Sequence, residues 1–204
     1  CFNDILTLDL KIKIDGKNHI LWMIDSFSRY AKGVVVKTKT GIEITKGILN
    51  EWFYHVGPPK RGLFADNGGE FINQEMEKFT RLWGIKLASG APYSPWSNGA
   101  NERNHASCDR ILKRLMAESP REDLQTLVNQ AAWVHNSNLS QNGGVPITIM
   151  TGNKPIFPLI NKNDNDNDKL DDIEDQIDKV RNIQKVFLES ELEILLKNCG
   201  NTKI

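Results

Sequence analysis

Residues 5–14, ILTLDLKIKI, alternate apolar and polar side chains with a period of two. That period belongs to a half-buried strand. The Asp15-Gly16 pair after it is a hairpin signal leading into a second apolar run, HILWMIDSF, at residues 19–27. A third short strand, GVVVKT at 33–38, is predicted to complete an antiparallel meander. Residues 41–54 change to a helical rhythm, with Ile44, Ile48 and Trp52 on one face, and stop before Gly57-Pro58-Pro59. Next come a short strand at 62–65, the turn DNGG, a helix at 74–83 with Met76, Phe79 and Leu82 on one face, and a strand at 85–89. A loop rich in Gly, Pro and Ser then leads to the longest helix, 98–117, and another at 121–135. Three antiparallel strands followed by strand–helix alternation predict an α/β fold, a mixed sheet with helices against it.

Beyond residue 158 the composition shifts. Residues 161–178, NKNDNDNDKLDDIEDQID, hold eight acids in eighteen positions, which predicts a solvated linker at 159–172 leading into a helical extension at 173–204. Ile173, Ile177, Val180, Ile183 and Phe187 suit the apolar stripe of that helix packing on a partner. Asp164, Asp166 and Asp168 have the spacing of a calcium loop, but Lys169 stands where the loop needs Gly and Asp175 where it needs Glu. The chain as a whole is neutral, yet residues 1–160 carry 19 Lys and Arg against 15 Asp and Glu, a net of +4, and residues 161–204 carry 7 against 11, a net of −4. An excess that small cannot hold nucleic acid by phosphate neutralisation alone, so any such grip must be local or come from further segments. Cys1, Cys108 and Cys199 show no zinc-ligand spacing and suit a reducing compartment. The sequence has no apolar run of eighteen residues and no signal-peptide pattern, and its abrupt start at Cys1 suggests a piece of a longer polypeptide.

The chemistry is in the acids. Asp66, in FADNGGEF, follows an apolar strand at the end where α/β folds gather reactive groups, although Asn-Gly-Gly beside it is also an ordinary turn. Asp9 sits in the middle of the first strand, where a carboxylate is costly unless a partner receives it; a neighbouring Lys could be that partner. Glu102 falls in the first turns of the long helix, a position that favours negative charge in any case. Taken together, two strand carboxylates and one from a crossing helix can converge on divalent cations such as Mg²⁺, which take oxygen ligands. Two such ions about 3.5 to 4 Å apart clamp the attacking and leaving oxygens of an in-line phosphoryl transfer. Asp25 could rival Asp9, but the SFSR after it predicts that Asp25 caps a strand-ending turn. Trp22, Trp52, Trp83 and Trp133 are expected in the core or at a dimer interface, and His19, His55 and His135 are expected to be structural.

Asp9 in LTLDLK, Asp66 in FADNGGEF and Glu102 in SPWSNGANERNH are separated by 56 and 35 residues. With ILWMIDSFSRYA around Asp25, and with Tyr93, Pro95, Ser97 and Gly99 in the loop GAPYSPWSNGANER, residues 1–158 resemble the catalytic cores of retroviral, LTR-retrotransposon and Polinton-type integrases. The resemblance implies an RNase H-like core with a five-stranded mixed sheet. It implies two phosphoryl transfers on DNA, a cut near the 3′ end of element DNA and attack of the freed 3′-hydroxyl on target DNA. Asp9, Asp66 and Glu102 would be the catalytic, metal-binding acids for two Mg²⁺ ions, replaceable by Mn²⁺, with Asp9 bridging both. Tyr93, Trp96, Asn98, Arg103, His105, Arg110 and Lys113 would contact DNA. Asp109 departs from the family, which often has Lys or Arg there, and Arg114 is a further substitute. The implied partners are element-end and target DNA and a second copy of the chain, and the implied location is the nucleus. A decayed core that only binds DNA or protein, or another RNase H-like nuclease, is the alternative; the intact triad and the 35-residue interval count against both.

Overall fold

A computed structural model describes residues 1–12, 14–65, 68–89, 95–140 and 143–155, with 177–178, 181–182 and 185; at 89 and 95–101 it describes the backbone only. The chain divides into two compact units, Cys1–Asn153 and Lys154–Ile204. In the second unit the described positions from 177 onward are helical, with Arg181 Nη1 2.8 Å from Asp178 Oδ1. The predicted acidic linker, the calcium-like aspartates and most of the predicted extension lie outside the described residues.

The first unit is built on a five-stranded sheet in the order β3-β2-β1-β4-β5. Strands β1 (Ile5–Lys11), β2 (His19–Asp25) and β3 (Ala31–Val36) run antiparallel, while β4 (Gly62–Ala65) is parallel to β1, and β5 (Lys86–Ser89) is parallel to β4. Helix α1 (Gly41–Ile48) continues through a π-helical turn, Leu49–Phe53, into α2 (Tyr54–Val56). The remaining helices are α3 (Gln74–Trp83), α4 (Pro95–Glu118), α5 (Leu124–Ser137) and α6 (Pro146–Thr151).

Side chains alternate across a strand, so β1 serves two layers at once. Leu6, Leu8 and Leu10 join Leu21 and Met23 of β2 in one core with Ile44, Ile48, Trp52, Phe53 and Met76. The π turn lets the adjacent Trp52 and Phe53 both be buried, and the Trp52 indole donates to Asn3 Oδ1 at 3.1 Å. Asn3, at a left-handed φ of 56°, also donates from Nδ2 to the carbonyls of Gly57 and Pro58, so the start of β1 is tied to the end of that helix. The odd residues of β1, Thr7, Asp9 and Lys11, take the opposite face.

The edge strand β3 would expose unpaired backbone groups, and α5 closes that edge with side-chain amides. Ala31 N–H donates to Asn136 Oδ1 at 2.7 Å, and Asn136 Nδ2 donates back to Ala31 O at 2.8 Å. Gln125 repeats the device with Val35 N–H, at 2.8 Å, and Gly33 O, at 3.2 Å. Gly33 permits the approach, because a Cβ there would stand 2.5 Å from Val128 Cγ1 and 2.6 Å from Trp22 Cζ3.

Several boundaries differ from expectation. β1 ends at Lys11 rather than 14, and β3 begins two residues early, where Asn136 receives it. α4 begins at Pro95, and α5 begins after its cap Asp123, which accepts from Thr126 N–H at 3.0 Å. α6 was not expected; it starts on Pro146 and stops at Gly152, whose φ is 77°. Asn136→Ala leaves both Ala31 groups buried without partners and is expected to cost about 2 to 3 kcal/mol of stability. Urea unfolding measures this as a lower midpoint with an unchanged m-value.

Candidate active site

On the α4-facing side of β1 the first polar residue is satisfied locally, since Thr7 Oγ1 donates to Ile24 O at 2.8 Å. Asp9, opposite Trp22 in the register, takes its partner from its own strand. Its Oδ2 lies 2.7 Å from Lys11 Nζ, and the same ammonium is 3.2 Å from Oδ2 of Asp109 on α4. Trp22 completes the chain by donating from Nε1 to Asp109 Oδ1 at 3.1 Å. Burial alone would lower the Lys11 pKa, but Asp9 and Asp109 outweigh it and hold the ammonium above its ordinary value. Burial, reinforced by Asp9 and opposed by Lys11 and Trp22, pushes the Asp109 carboxyl up. All three side chains keep contact with water, at 23%, 33% and 20% exposed for Asp9, Lys11 and Asp109. Ion pairs this wet contribute about 1 kcal/mol or less each, so Lys11 is held but not locked.

His105 approaches Asp9 from the helix side, with Nδ1 3.9 Å from Asp9 Oδ2. It is buried, and Nδ1 has no hydrogen-bond partner among the described residues. Burial is the chief reason its pKa falls to about 4; Asp9 pulls it up, while Lys11 and His135 push it further down. The contact with Asp9 is therefore a neutral imidazole beside a carboxylate at neutral pH, not an ion pair. This corrects the expectation that His105 touches DNA: it falls on the buried stripe with Cys108, Leu112 and Leu115 at helical spacing. His135 is also structural. It is buried, donates from Nε2 to Arg29 O at 3.0 Å, and burial lowers its pKa to about 4.

Glu102 is exposed and lies three residues before His105, hence on the neighbouring turn of the same helix face. Asp66 and Tyr93 lie outside the described residues, as do the side chains of Trp96 and Asn98. The strand leading to Asp66 is described: β4 ends at Ala65 beside β1, with Phe64 opposite Thr7, two positions before Asp9. Arg103, Arg110 and Lys113 are exposed on α4. Among the described residues no three of His, Cys, Asp and Glu are grouped to hold a metal. Asp25 is fully buried and spent on caps, accepting from Asn3 N–H at 2.9 Å and from the Ser28 amide and hydroxyl at 2.7 Å each. Trp22 and Trp52 are core residues, whereas Trp83 and Trp133 are exposed at 41% and 37%. The Lys11–Asp109–Trp22 bridge was missed, although Lys11 shares the face of Asp9 by strand period alone.

Residues 2–95 match the integrase core domain family. That stretch carries an integrase core domain. It is 27% identical over 164 residues to the Gag-Pol polyprotein of baboon endogenous virus (80% of this chain, 9% of that protein), and 31% identical over 140 residues to that of Koala retrovirus (69% and 8%). The chain therefore spans less than a tenth of the length of these two relatives. Among solved structures, the HTLV-2 integrase catalytic core domain in complex with magnesium superposes with a TM-score of 0.60 at 24% identity, covering 72% of this chain and 96% of that one. At that identity the likeness carries the fold, the RNase H-like mixed sheet of integrase cores.

Asp9 fits a divalent cation by its chemistry, although no group of three such ligands stands together among the described residues. Asp9 offers a hard oxygen donor, and Oδ2 already carries a stand-in cation, the Lys11 ammonium. The two buried histidines give the fold a pH signature. Their folded pKa values of about 4 lie below the ordinary 6.5, so unfolding takes up about two protons between those values, and stability rises with pH across that window. Urea unfolding is expected to lose about 2 to 3 kcal/mol per pH unit near pH 5.5 and to level off above about pH 7. A flat profile between pH 5 and 6.5 contradicts the buried neutral state.

Proposed function

We propose that the chain is the catalytic core of a DNA integrase that trims the 3′ ends of mobile-element or viral DNA and joins them to target DNA. The observation that carries this reading is the 3.9 Å approach of His105 to Asp9. It brings the α4 turn bearing Glu102 over the strand bearing Asp9, while β4, which leads to Asp66, pairs with β1 alongside. In this reading Asp9, Asp66 and Glu102 would hold two Mg²⁺ ions, for which Mn²⁺ would substitute, and the chemistry supplied there would be activation of the attacking oxygen and stabilisation of the leaving one. The acids do no proton shuttling of their own. Asp9 is fixed by the pairing of β1 with β2, where it stands opposite Trp22, and the buried His105 covers its inner side. The exposed Arg103, Arg110 and Lys113 meet DNA phosphates, a local grip that suits a unit with so small a net charge. Tyr93, Trp96 and Asn98 contact the substrate near the cut end.

The same reading takes residues 1–158 as the core, 159–172 as a linker and 173–204 as a helical extension, acting on element-end and target DNA in the nucleus. Self-association into a dimer or higher oligomer accompanies it, in keeping with the HTLV-2 core, which is described in a trimeric form. Asp66→Asn and Glu102→Gln test the proposal in a Mg²⁺-dependent assay of end cleavage and strand joining. Each is expected to lower joining by at least about a hundredfold while leaving the melting temperature close to that of the parent chain. Joining that survives either substitution contradicts it.

A further inference from the structure

Lys11 makes contacts that the integrase reading does not use. Its ammonium sits between two carboxylates on different elements, 2.7 Å from Asp9 on β1 and 3.2 Å from Asp109 on α4. The second acceptor is fixed in advance, because the Trp22 indole occupies Asp109 Oδ1 and leaves Oδ2 to the lysine. A dication that binds Asp9 repels an ammonium in contact with the same carboxylate, so Lys11 must leave Asp9 when metal enters. Where it goes decides how much is lost. With nothing nearby, the lysine surrenders its pair to water; with Asp109 in place, a small rotation about the side chain exchanges one carboxylate for the other.

We infer that Asp109, braced by Trp22, is the receiving site for Lys11 and thereby sets the affinity of the active site for its divalent metal. Asp109 is a positioning residue that acts through the lysine. No proton moves and no bond forms; one ion pair replaces another. This explains a departure from the basic residue expected at that turn of α4. A cation at position 109 would face Lys11 and drive it back onto Asp9, whereas the carboxylate draws it away.

The inference rests on the integrase reading, and Mn²⁺ binding by the whole chain, followed by paramagnetic resonance of the free ion, separates the two. Asp109→Asn keeps the shape and the oxygen that Trp22 bonds, and is expected to weaken Mn²⁺ binding by about three- to tenfold. Lys11→Gln removes the competing cation and is expected to tighten binding by a similar factor; Lys11→Met serves if Gln impairs folding. In either Lys11 variant, adding Asp109→Asn should change the dissociation constant by less than about twofold, because its effect passes through the lysine. A full loss of affinity from Asp109→Asn that persists without Lys11 overturns the inference, as does wild-type affinity in the single Asp109 variant. Absence of Mn²⁺ binding by the parent chain overturns the integrase reading itself and this inference with it. The melting temperature without metal shows whether each variant folds.

Discussion

One strand with two chemically opposed faces constrains everything else in this chain. β1 supplies Leu6, Leu8 and Leu10 to one core and Thr7, Asp9 and Lys11 to the layer beneath α4. Removing a carboxylate and an ammonium even partly from water costs more than their packing returns unless each finds a partner. The partners come from the strand itself and from the helix: Lys11 for Asp9, Asp109 for Lys11, and the Trp22 indole for Asp109. The pairing holds α4 over the middle of β1, where the neutral His105 also reaches Asp9.

The other polar devices serve rigidity around that point. Asp25, which has the same side-chain chemistry as Asp9, is removed from competition by three donors and pins the β2–β3 turn to Asn3. Asn136 and Gln125 pair the outer edge of β3 and so fix α5. Beneath the site lie two imidazoles that burial keeps uncharged. Lys11 is a third exposed, so its pair with Asp9 is open to solvent.

Much of this was legible in the chain alone. The alternation in ILTLDLKIKI and the helical rhythm of residues 74–83 gave the sheet and α3, and Asp25 was correctly expected to be a cap because Ser-Phe-Ser-Arg follows it. What failed was helix phase: His105, read as an outward residue near Glu102, lies instead on the stripe of Cys108 and Leu112. The start of β3 depends on a contact between residues over a hundred positions apart, Asn136 with Ala31, which no local pattern carries, whereas α5 starts where it does because Asp123 caps it locally. Pro146 and Gly152 were adequate signals for α6, but six residues show too little periodicity to stand out. The Lys11–Asp109 bridge joins a strand position to a helix position, so only Lys11's place on the Asp9 face was readable in advance.

The central claim is that Asp9 is a metal-binding carboxylate temporarily held by a lysine. A crystal soaked in Mn²⁺ and measured at the manganese absorption edge tests it most directly. The account predicts an anomalous peak about 2.0 to 2.3 Å from an Asp9 oxygen, with Lys11 Nζ withdrawn from Asp9 and resting on Asp109. A crystal that takes up manganese elsewhere while Lys11 keeps its place on Asp9 contradicts it.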